Sequence, residues 1–326
     1  MRSGPSVGRW WPWLLSLCAL SPAWADTAQD WLERMNVALA EKSYDGTFFH
    51  MRDGRSESLR IVHRVRDGNV CERLMSLDGT GREFIRRGEE LRYYLPEKGL
   101  VLVERRERET GLLPSFPSLK AASTELYDFG EVRRVRLMGR DTRLVTVEPR
   151  DEFRYGYRVW IDARTHMPLK SELHDGRGAV LEQLMFANLA VFKEIPDHLF
   201  EPPASAKGLT TLHGAGRSAE GRMAIQRWRV RALPKGFRMI HQFEQALPGA
   251  EEPVAHLVFS DGLASVSVFI GERLPARSAK EVALERRLGA STTYSTEIAG
   301  HQIVVVGEVP PDTARFIASQ LQAARQ

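Results

Sequence analysis

The spacing of apolar residues changes along the chain and separates one helix from a long series of strands. The first apolar set follows the 3.6-residue period of a helix and comprises Ala28, Trp31, Leu32, Met35 and Leu39. Asp26 or Thr27 is placed to cap this helix, which is about four turns long. From Tyr44 onward the period is two, which is typical of strands.

Short alternating segments follow, in which apolar residues are separated by mostly charged neighbours. The clearest of them contain Leu59, Ile61 and Val65; Leu91, Tyr93 and Leu95; Leu100 and Leu102; Val145 and Val147; and Tyr155, Tyr157, Val159 and Ile161. Asp-Gly pairs between them suit hairpin turns, because both central residues of a type I′ turn need a positive φ. These pairs begin at Asp45, Asp53, Asp67, Asp78, Asp175 and Asp261. The pattern predicts an antiparallel meander with one apolar and one charged face.

Roughly ten strands and one long helix predict an open or half-closed antiparallel barrel that curls around the helix. Residues 105–129 interrupt the meander with a Pro-containing apolar segment, which is typical of a lid or a functional loop. An apolar run ends at Phe200, and Pro202 and Pro203 follow it. Residues 204–221 are rich in Gly, Ser, Thr and Ala, which favours a connector between two domains.

A second and smaller α+β domain is predicted over residues 222–326. Its expected strands contain Trp228 and Val230; Phe237 and Met239; Leu257 and Phe259; Val266, Val268 and Ile270; and Ile303 to Val306. One helix is expected around Lys280 to Leu288, and another from Pro310 to the end of the chain. The predicted fold class is therefore α+β, with an N-terminal domain over residues 26–203.

The first 25 residues have the three parts of a secretory signal peptide. Arg2 and Arg9 supply positive charge, residues 10–20 are mostly apolar, and Ala25 ends an A-x-A cleavage signal. The apolar stretch is shorter than the roughly 20 residues that a transmembrane helix needs. Export with cleavage after Ala25 is predicted. Acylation at Cys18 is the less favoured alternative, because a leucine stands where a small residue is wanted.

Composition and charge argue against a nucleic-acid-binding protein and against a disulfide-bonded scaffold. The chain has 46 Lys and Arg against 42 Asp and Glu, and loss of residues 1–25 would leave 44 bases and 42 acids. The charges are interleaved rather than gathered in one stripe, which argues against a nucleic-acid partner. Cys71 would be the only remaining thiol and cannot form an intramolecular disulfide. It is interpreted as a buried, inert thiol, with a redox or intermolecular role as the alternative.

The sequence lacks the common signatures of catalytic and metal sites. It contains no G-x-S-x-G, H-E-x-x-H, P-loop or C-x-x-C motif, and its nine histidines include no pair at helical i, i+4 spacing. No catalytic residue, metal or cofactor is therefore predicted. The G-x-G-x-x-A match at Gly214 lies in the connector without a βαβ context and is interpreted as a flexible linker rather than a dinucleotide site.

Four Arg-Arg pairs begin at Arg86, Arg105, Arg133 and Arg286. Each pair is able to bind a lipid phosphate or an acidic peptide. The favoured interpretation is a solvated strand edge whose charges oppose aggregation.

Several segments, in this order along the chain, resemble the RseB/MucB family of periplasmic sigma-factor regulatory proteins. They are Tyr44 to His50, Tyr157 to Asp162, Met167 to Leu173, Leu233 to Phe237 and Phe259 to Val268. The resemblance implies an N-terminal domain similar to the periplasmic lipoprotein carriers, with an unclosed barrel and a lipid-sized cavity. It also implies a C-terminal domain that binds the periplasmic domain of a transmembrane anti-sigma factor. Binding would shield that factor from its first protease, and lipid or lipopolysaccharide would cause release.

Strand parity gives candidate residues for these roles. The candidates for the lipid pocket are Leu59, Ile61, Leu91, Tyr93, Leu95, Leu113 and Phe116. The candidates for contact with the anti-sigma factor are Trp228, Phe237, Phe259 and Phe269. The expected partners are that factor and lipid acyl chains, and a homo-oligomer is left open. A periplasmic lipoprotein or lipid carrier is the alternative function, and an envelope hydrolase with a buried carboxylate or histidine cluster is the third.

Overall fold

The computed structural model describes residues 26–105, 112–113, 116, 124–213, 228–245, 253–273 and 283–323. The predicted signal peptide, most of the predicted 105–129 loop and the Gly214 motif lie outside these residues.

The N-terminal part forms one long sheet that is open at its ends. Its strands are β1 (Ser43–Arg52), β2 (Arg55–Arg66), β3 (Asn69–Ser76), β4 (Glu83–Arg87), β5 (Glu90–Leu95), β6 (Leu100–Arg105), β7 (Tyr127–Phe129), β8 (Arg133–Leu137), β9 (Arg140–Pro149), β10 (Gly156–Asp162), β11 (Pro168–His174), β12 (Val180–Phe192) and β13 (Thr210–His213). The order across the sheet is β13-β6-β5-β4-β3-β2-β1-β12-β11-β10-β9-β7, and β8 also pairs with β9. Within the described residues β13 and β7 end the sheet without pairing to each other, so the predicted unclosed barrel is confirmed.

The first helix, α1 (Ala28–Glu41), begins where the sequence predicts and lies against the sheet. Thr27 and Asp30 form a capping box, in which the Thr27 amide donates to Asp30 Oδ2 at 2.8 Å and the Asp30 amide donates to Thr27 Oγ1 at 3.2 Å. Trp31, Leu32 and Met35 are buried in one cluster with residues of β9 and β10. The helix thus fills part of the inner side of the open barrel.

Of the six Asp-Gly pairs, two form the expected tight hairpins, three lie in other connections between strands, and one lies within a strand. Asp53 and Gly54 both have positive φ, at 50° and 69°, as do Asp67 and Gly68, at 52° and 73°. Gly46 instead lies in the middle of β1, so the predicted turn there is wrong. A Cβ at Gly46 would lie 2.8 Å from the Phe186 ring, and close packing is the reason for this glycine.

Part of the predicted connector packs on the sheet. The strand β13 pairs with β6 and is parallel to it, unlike the other neighbours in this sheet. Ala206 and Leu209 cover an outer cluster that contains Ile85, Tyr94 and Val101. Short 3₁₀ helices occur at Pro96–Lys98, Asp197–Phe200 and Ala204–Ala206.

The C-terminal unit is a sheet covered by one helix. Its elements are β14 (Trp228–Val230), β15 (Arg238–Gln245), β16 (Val254–Ser260), β17 (Ser265–Arg273), β18 (Leu284–Leu288), β19 (Ser291–Ile298), β20 (His301–Gly307), α2 (Pro311–Ser319) and β21 (Leu321–Ala323). The main sheet has the order β15-β16-β17-β20-β19-β18, and β14 pairs with β21. The α2 residues Ala314, Ile317 and Ala318 are buried with the sheet in one core.

Two helix predictions in this unit need correction. Leu284 and Leu288 have helical i, i+4 spacing, but the segment between them is strand β18 because it pairs with β19. The last helix ends at Ser319 rather than at the end of the chain, since Leu321–Ala323 pairs with β14. In the first place a hairpin with the next strand overrides the local pattern, and in the second place a pairing with a strand about 90 residues earlier does so.

Candidate ligand face and domain interface

Alternate residues of β2 to β6 face the inside of the open barrel, and the register arranges them in two rows. One row is apolar or aromatic and consists of Ile61, Leu74, Phe84, Tyr93 and Leu102. The neighbouring row holds four ionisable residues and one leucine, and consists of His63, Glu72, Arg86, Leu91 and Glu104. The inner face, which we call the concave face, therefore combines an apolar surface with a buried polar stripe.

The structure brings the seven lipid-pocket candidates to this concave face. Leu59 and Ile61 are buried in its apolar cluster, and Leu113 and Phe116 pack against the same cluster. Leu91, Tyr93 and Leu95 alternate along β5 and therefore project from one side of that strand. Lipid contact by these residues remains a prediction.

The centre of the polar stripe is the buried Glu72 carboxylate. Arg86 Nη1 donates to Glu72 Oε2 at 3.1 Å, and the Leu112 amide donates to Glu72 Oε1 at 3.4 Å. His63 Nε2 lies 3.9 Å from the same Oε1 atom, while His63 Nδ1 lies 2.9 Å from the Lys42 carbonyl oxygen. The side chains of His63, Glu72 and Arg86 are all buried.

Burial sets the protonation of this stripe. It raises the pKa of Glu72, although the nearby Arg86 guanidinium acts in the opposite direction. It lowers the pKa of His63 to about 4, and the positive charge of Arg86 contributes to that decrease. At neutral pH His63 is therefore uncharged, and its Nδ1–H group donates a hydrogen bond to the Lys42 carbonyl oxygen. Arg86 is the cation that balances the charge of Glu72.

The interpretation of Arg86 as a solvated strand-edge residue is wrong. Its guanidinium points inward because Glu72 on the adjacent strand neutralises it and Gly88 O accepts from its Nε at 3.0 Å. Strand parity carried the signal for this pair, since Glu72 and Leu74 alternate on one face of β3, as Phe84 and Arg86 do on β4. Arg86 alternates with apolar residues on the inner face of β4, but its charge by itself led to the prediction of an exposed position.

The other arginines of these pairs that can be described agree with solvated positions. Arg105, Arg133, Arg134, Arg286 and Arg287 are exposed. Arg87 lies on the outer side of β4 and donates to the Phe200 carbonyl oxygen at 2.7 Å.

Cys71 is half-buried rather than fully buried, which corrects one part of its interpretation. Its Sγ atom lies 3.6 Å from Arg64 Nη2.

A buried ion pair joins the two structural units. Arg154 Nη1 donates to Asp261 Oδ2 at 2.9 Å, and neither side chain has solvent exposure. Arg154 also donates to the Lys235 carbonyl oxygen at 2.6 Å and to Asp151 Oδ1 at 2.9 Å. The Tyr127 hydroxyl donates to Asp261 Oδ2 at 3.3 Å. The guanidinium thus contacts acceptors from both units at once.

The turn between β18 and β19 makes a second contact between the units. The Gly289 amide donates to Asp53 Oδ2 at 2.7 Å, and the Ala290 amide donates to Glu182 Oε1 at 3.0 Å. Ala290 is buried in the same cluster as the α1 side chains. Burial raises the pKa of Glu182, but hydrogen bonds from His50 and Ala290 outweigh burial and leave that pKa lowered.

Three of the four candidates for contact with the anti-sigma factor lie in the interior of the C-terminal unit. Trp228, Phe237 and Phe259 are buried core residues, and the Phe237 ring also lies 5.4 Å from the Arg154 guanidinium carbon. Phe269 is half-buried and stacks on His256, with ring centroids 4.1 Å apart. A role for these four side chains in partner contact remains a prediction.

Neither a candidate metal site nor a candidate membrane-spanning helix occurs in the described part of the chain. No group of three or more His, Cys, Asp or Glu residues there has the geometry to hold a metal ion. No helix there is long and apolar enough to span a membrane.

Sequence models of known families cover both units. The model of the MucB/RseB N-terminal domain matches residues 27–204, and the model of the MucB/RseB C-terminal domain matches residues 222–322. The chain belongs to the MucB/RseB family.

Named members of the MucB/RseB family are similar over most of the chain. The sigma factor AlgU regulatory protein MucB of Pseudomonas aeruginosa is 32% identical over 312 residues, which cover 94% of each chain. The sigma-E factor regulatory protein RseB of Salmonella typhimurium is 31% identical over 296 residues, 89% of each chain. RseB of Escherichia coli K12 is 29% identical over 297 residues, again 89% of each. All three carry the names of regulatory proteins.

Solved structures of MucB share the fold. MucB in its complex with MucA(peri) superposes with a TM-score of 0.71 at 29% identity, over 92% of this chain and 100% of that chain. MucB in the Pseudomonas aeruginosa MucA/MucB complex gives a TM-score of 0.72 at 30% identity, over 92% and 99%. MucB alone gives 0.62 at 28% identity, over 91% and 98%. The similarity therefore includes both units of the chain.

Proposed function

We propose that this MucB/RseB-family protein is a periplasmic negative regulator of an envelope-stress sigma factor. It binds the periplasmic domain of a transmembrane anti-sigma factor and shields that domain from regulated proteolysis. The observation that carries the proposal is similarity along both units to MucB, which has been solved in complex with MucA(peri). Export through the predicted signal peptide, with cleavage after Ala25, places the protein in the compartment of that partner.

Lipid sensing is the second part of the proposal. The concave face offers a continuous apolar row, from Ile61 through Tyr93 to Leu102, on which an acyl chain can lie. The two units are held in one arrangement by the buried Arg154–Asp261 pair and by the turn at Gly289. An acyl chain releases the anti-sigma factor only if it binds a second arrangement more tightly than this one.

A pull-down with the periplasmic domain of the anti-sigma factor tests partner binding. We expect the full exported chain to retain that domain when no lipid is present, and lipopolysaccharide to reduce the retained amount. Failure to bind in the absence of lipid would remove the regulatory function. Binding that lipopolysaccharide leaves unchanged would remove lipid-triggered release.

A charged substitution on the concave face tests the lipid pocket. Tyr93→Asp is expected to abolish lipid-induced release and to leave binding without lipid intact, because a carboxylate on this face opposes burial of an acyl chain. Leu77→Asp is the matched control, since Leu77 is half exposed and lies in the turn after β3. An equal lipid response in wild type and Tyr93→Asp would exclude this face as the pocket.

A periplasmic lipoprotein or lipid carrier is the alternative function. The concave face alone suits a carrier, whereas the C-terminal unit and its buried junction at Arg154 favour the regulator, because a carrier does not need them. Stoichiometric transfer of acylated protein between membranes, without binding to the anti-sigma factor, would favour the carrier.

A further inference from the structure

The concave face already holds apolar residues of this chain. Leu112 and Leu113 are half-buried and pack against the cluster that contains Leu59, Ile61 and Leu74. Phe116 packs against the same cluster. These three side chains alone, which we call the covering segment, therefore cover the surface on which an acyl chain would lie.

We propose that the covering segment, Leu112, Leu113 and Phe116, is the resident occupant of the concave face, and that an acyl chain binds by replacing these side chains. The inference rests on the proposed lipid sensing. It reassigns Leu113 and Phe116, two of the lipid-pocket candidates, from residues that line the pocket to residues that compete with the lipid for it. Leucine and phenylalanine side chains bury the same kind of surface as a hydrocarbon chain, so both cannot occupy one site. The apparent dissociation constant for lipid is then the intrinsic dissociation constant divided by the fraction of molecules in which the segment is displaced.

Glu72 holds the segment in place. Its Oε1 atom accepts from the Leu112 amide at 3.4 Å, while its Oε2 atom accepts from Arg86 at 3.1 Å. The carboxylate is buried, so it gains little from water when the Leu112 amide leaves. A hydrocarbon chain has no hydrogen-bond donor that can replace this amide. Displacement of the segment therefore breaks a hydrogen bond that the lipid does not replace. Lipids that bind weakly do not compensate for this loss and are excluded from the face.

Phe116 links occupancy of the face to the junction between the units. It packs against the concave-face cluster and also against the neighbouring cluster of α1, β9 and β10. That second cluster contains Ala290 and is contacted by Leu263, both from the C-terminal unit. Replacement of the segment removes Phe116 from this shared position and loosens the packing behind Ala290.

The decisive measurement is the affinity of the full exported chain for a fluorescent fatty acid, cis-parinaric acid. Leu113→Ser weakens the packing of the competitor, and we expect it to tighten probe binding roughly three- to tenfold, as loss of part of a leucine's burial implies. Leu77→Ser removes a leucine that is half exposed outside the face and is expected to leave the affinity unchanged.

The outcomes separate this inference from the function on which it rests. Weaker or unchanged binding in Leu113→Ser would show that Leu113 is part of the pocket wall, or has no role in it, and would overturn the competition. Absence of probe binding by wild type and both variants would remove the lipid-sensing function and the inference with it.

Hydrogen exchange tests the link through Phe116. The Gly289 and Ala290 amides are bonded to Asp53 and Glu182, and we expect their exchange to accelerate when the probe saturates the wild type. Phe116→Ser should accelerate the same amides without any probe. Unchanged exchange in both experiments would overturn the coupling.

Discussion

The buried Arg154–Asp261 pair gives a quantitative prediction about how the two units are joined. In Arg154→Met the methionine keeps much of the apolar volume, but Asp261 loses its buried cationic partner. Removing one member of a buried ion pair costs about 3–5 kcal/mol. Asp261 would keep the Tyr127 hydroxyl and two backbone amides, from Leu263 at 2.9 Å and Ala264 at 2.7 Å. We therefore expect a loss near the lower end, about 3 kcal/mol.

Urea unfolding followed by circular dichroism measures this loss. Arg150→Met is the matched control, because Arg150 and Asp128 form an exposed pair that contributes about 1 kcal/mol at most. The double variant Arg154→Met with Asp261→Asn should lose clearly less than the sum of the two single variants, since the charges are coupled. A loss in Arg154→Met no greater than in the control, or full additivity in the double variant, would refute the idea that this pair joins the units.

Two further predictions concern the barrel. Gly46→Ala should reduce the free energy of unfolding by about 1–3 kcal/mol in the same assay, because the new Cβ would lie 2.8 Å from the Phe186 ring and 2.9 Å from the Asn188 carbonyl oxygen. Unchanged stability would contradict the close packing. For His63, the native pKa of about 4 lies below the ordinary 6.5, so the unfolded chain binds more protons between these values and stability falls as the pH decreases through this window. Relative to His63→Gln, whose side chain does not titrate, the wild type should lose up to about 1.4 kcal/mol per pH unit between pH 6.5 and pH 4, and parallel pH profiles would contradict this.

Periodicity was sufficient to predict the main elements of the N-terminal part. The i, i+3, i+4 pattern from Ala28 to Leu39 placed α1, and the alternation around Leu59, Tyr93 and Val145 placed β2, β5 and β9. Such patterns are reliable because burial on one face of a helix or strand selects residues at a fixed period. The same parity placed the lipid-pocket candidates on one side of the sheet.

Local patterns failed where strand pairing or close packing decided the outcome. The segment Leu284–Leu288 has helical spacing but pairs with β19, and Gly46 follows an aspartate but lies in the middle of a strand. Trp228 and Phe259, two candidates for partner contact, are buried in the core of the C-terminal unit. An aromatic residue in a strand has the same local pattern whether a partner or its own core covers it.

The sequence by itself determined the family, the main elements of the N-terminal part and the apolar face of the barrel, because each of these depends on residues that are near neighbours or lie in a fixed order along the chain. Only the tertiary structure decided that Glu72 and Arg86 are buried together, that Leu112 lies against them, and that Arg154 meets Asp261. A charge can be buried only when a partner neutralises it or forms hydrogen bonds with it. Glu72 is 14 residues from Arg86 and 40 from Leu112, and Arg154 is 107 residues from Asp261, so a local pattern does not identify these pairs.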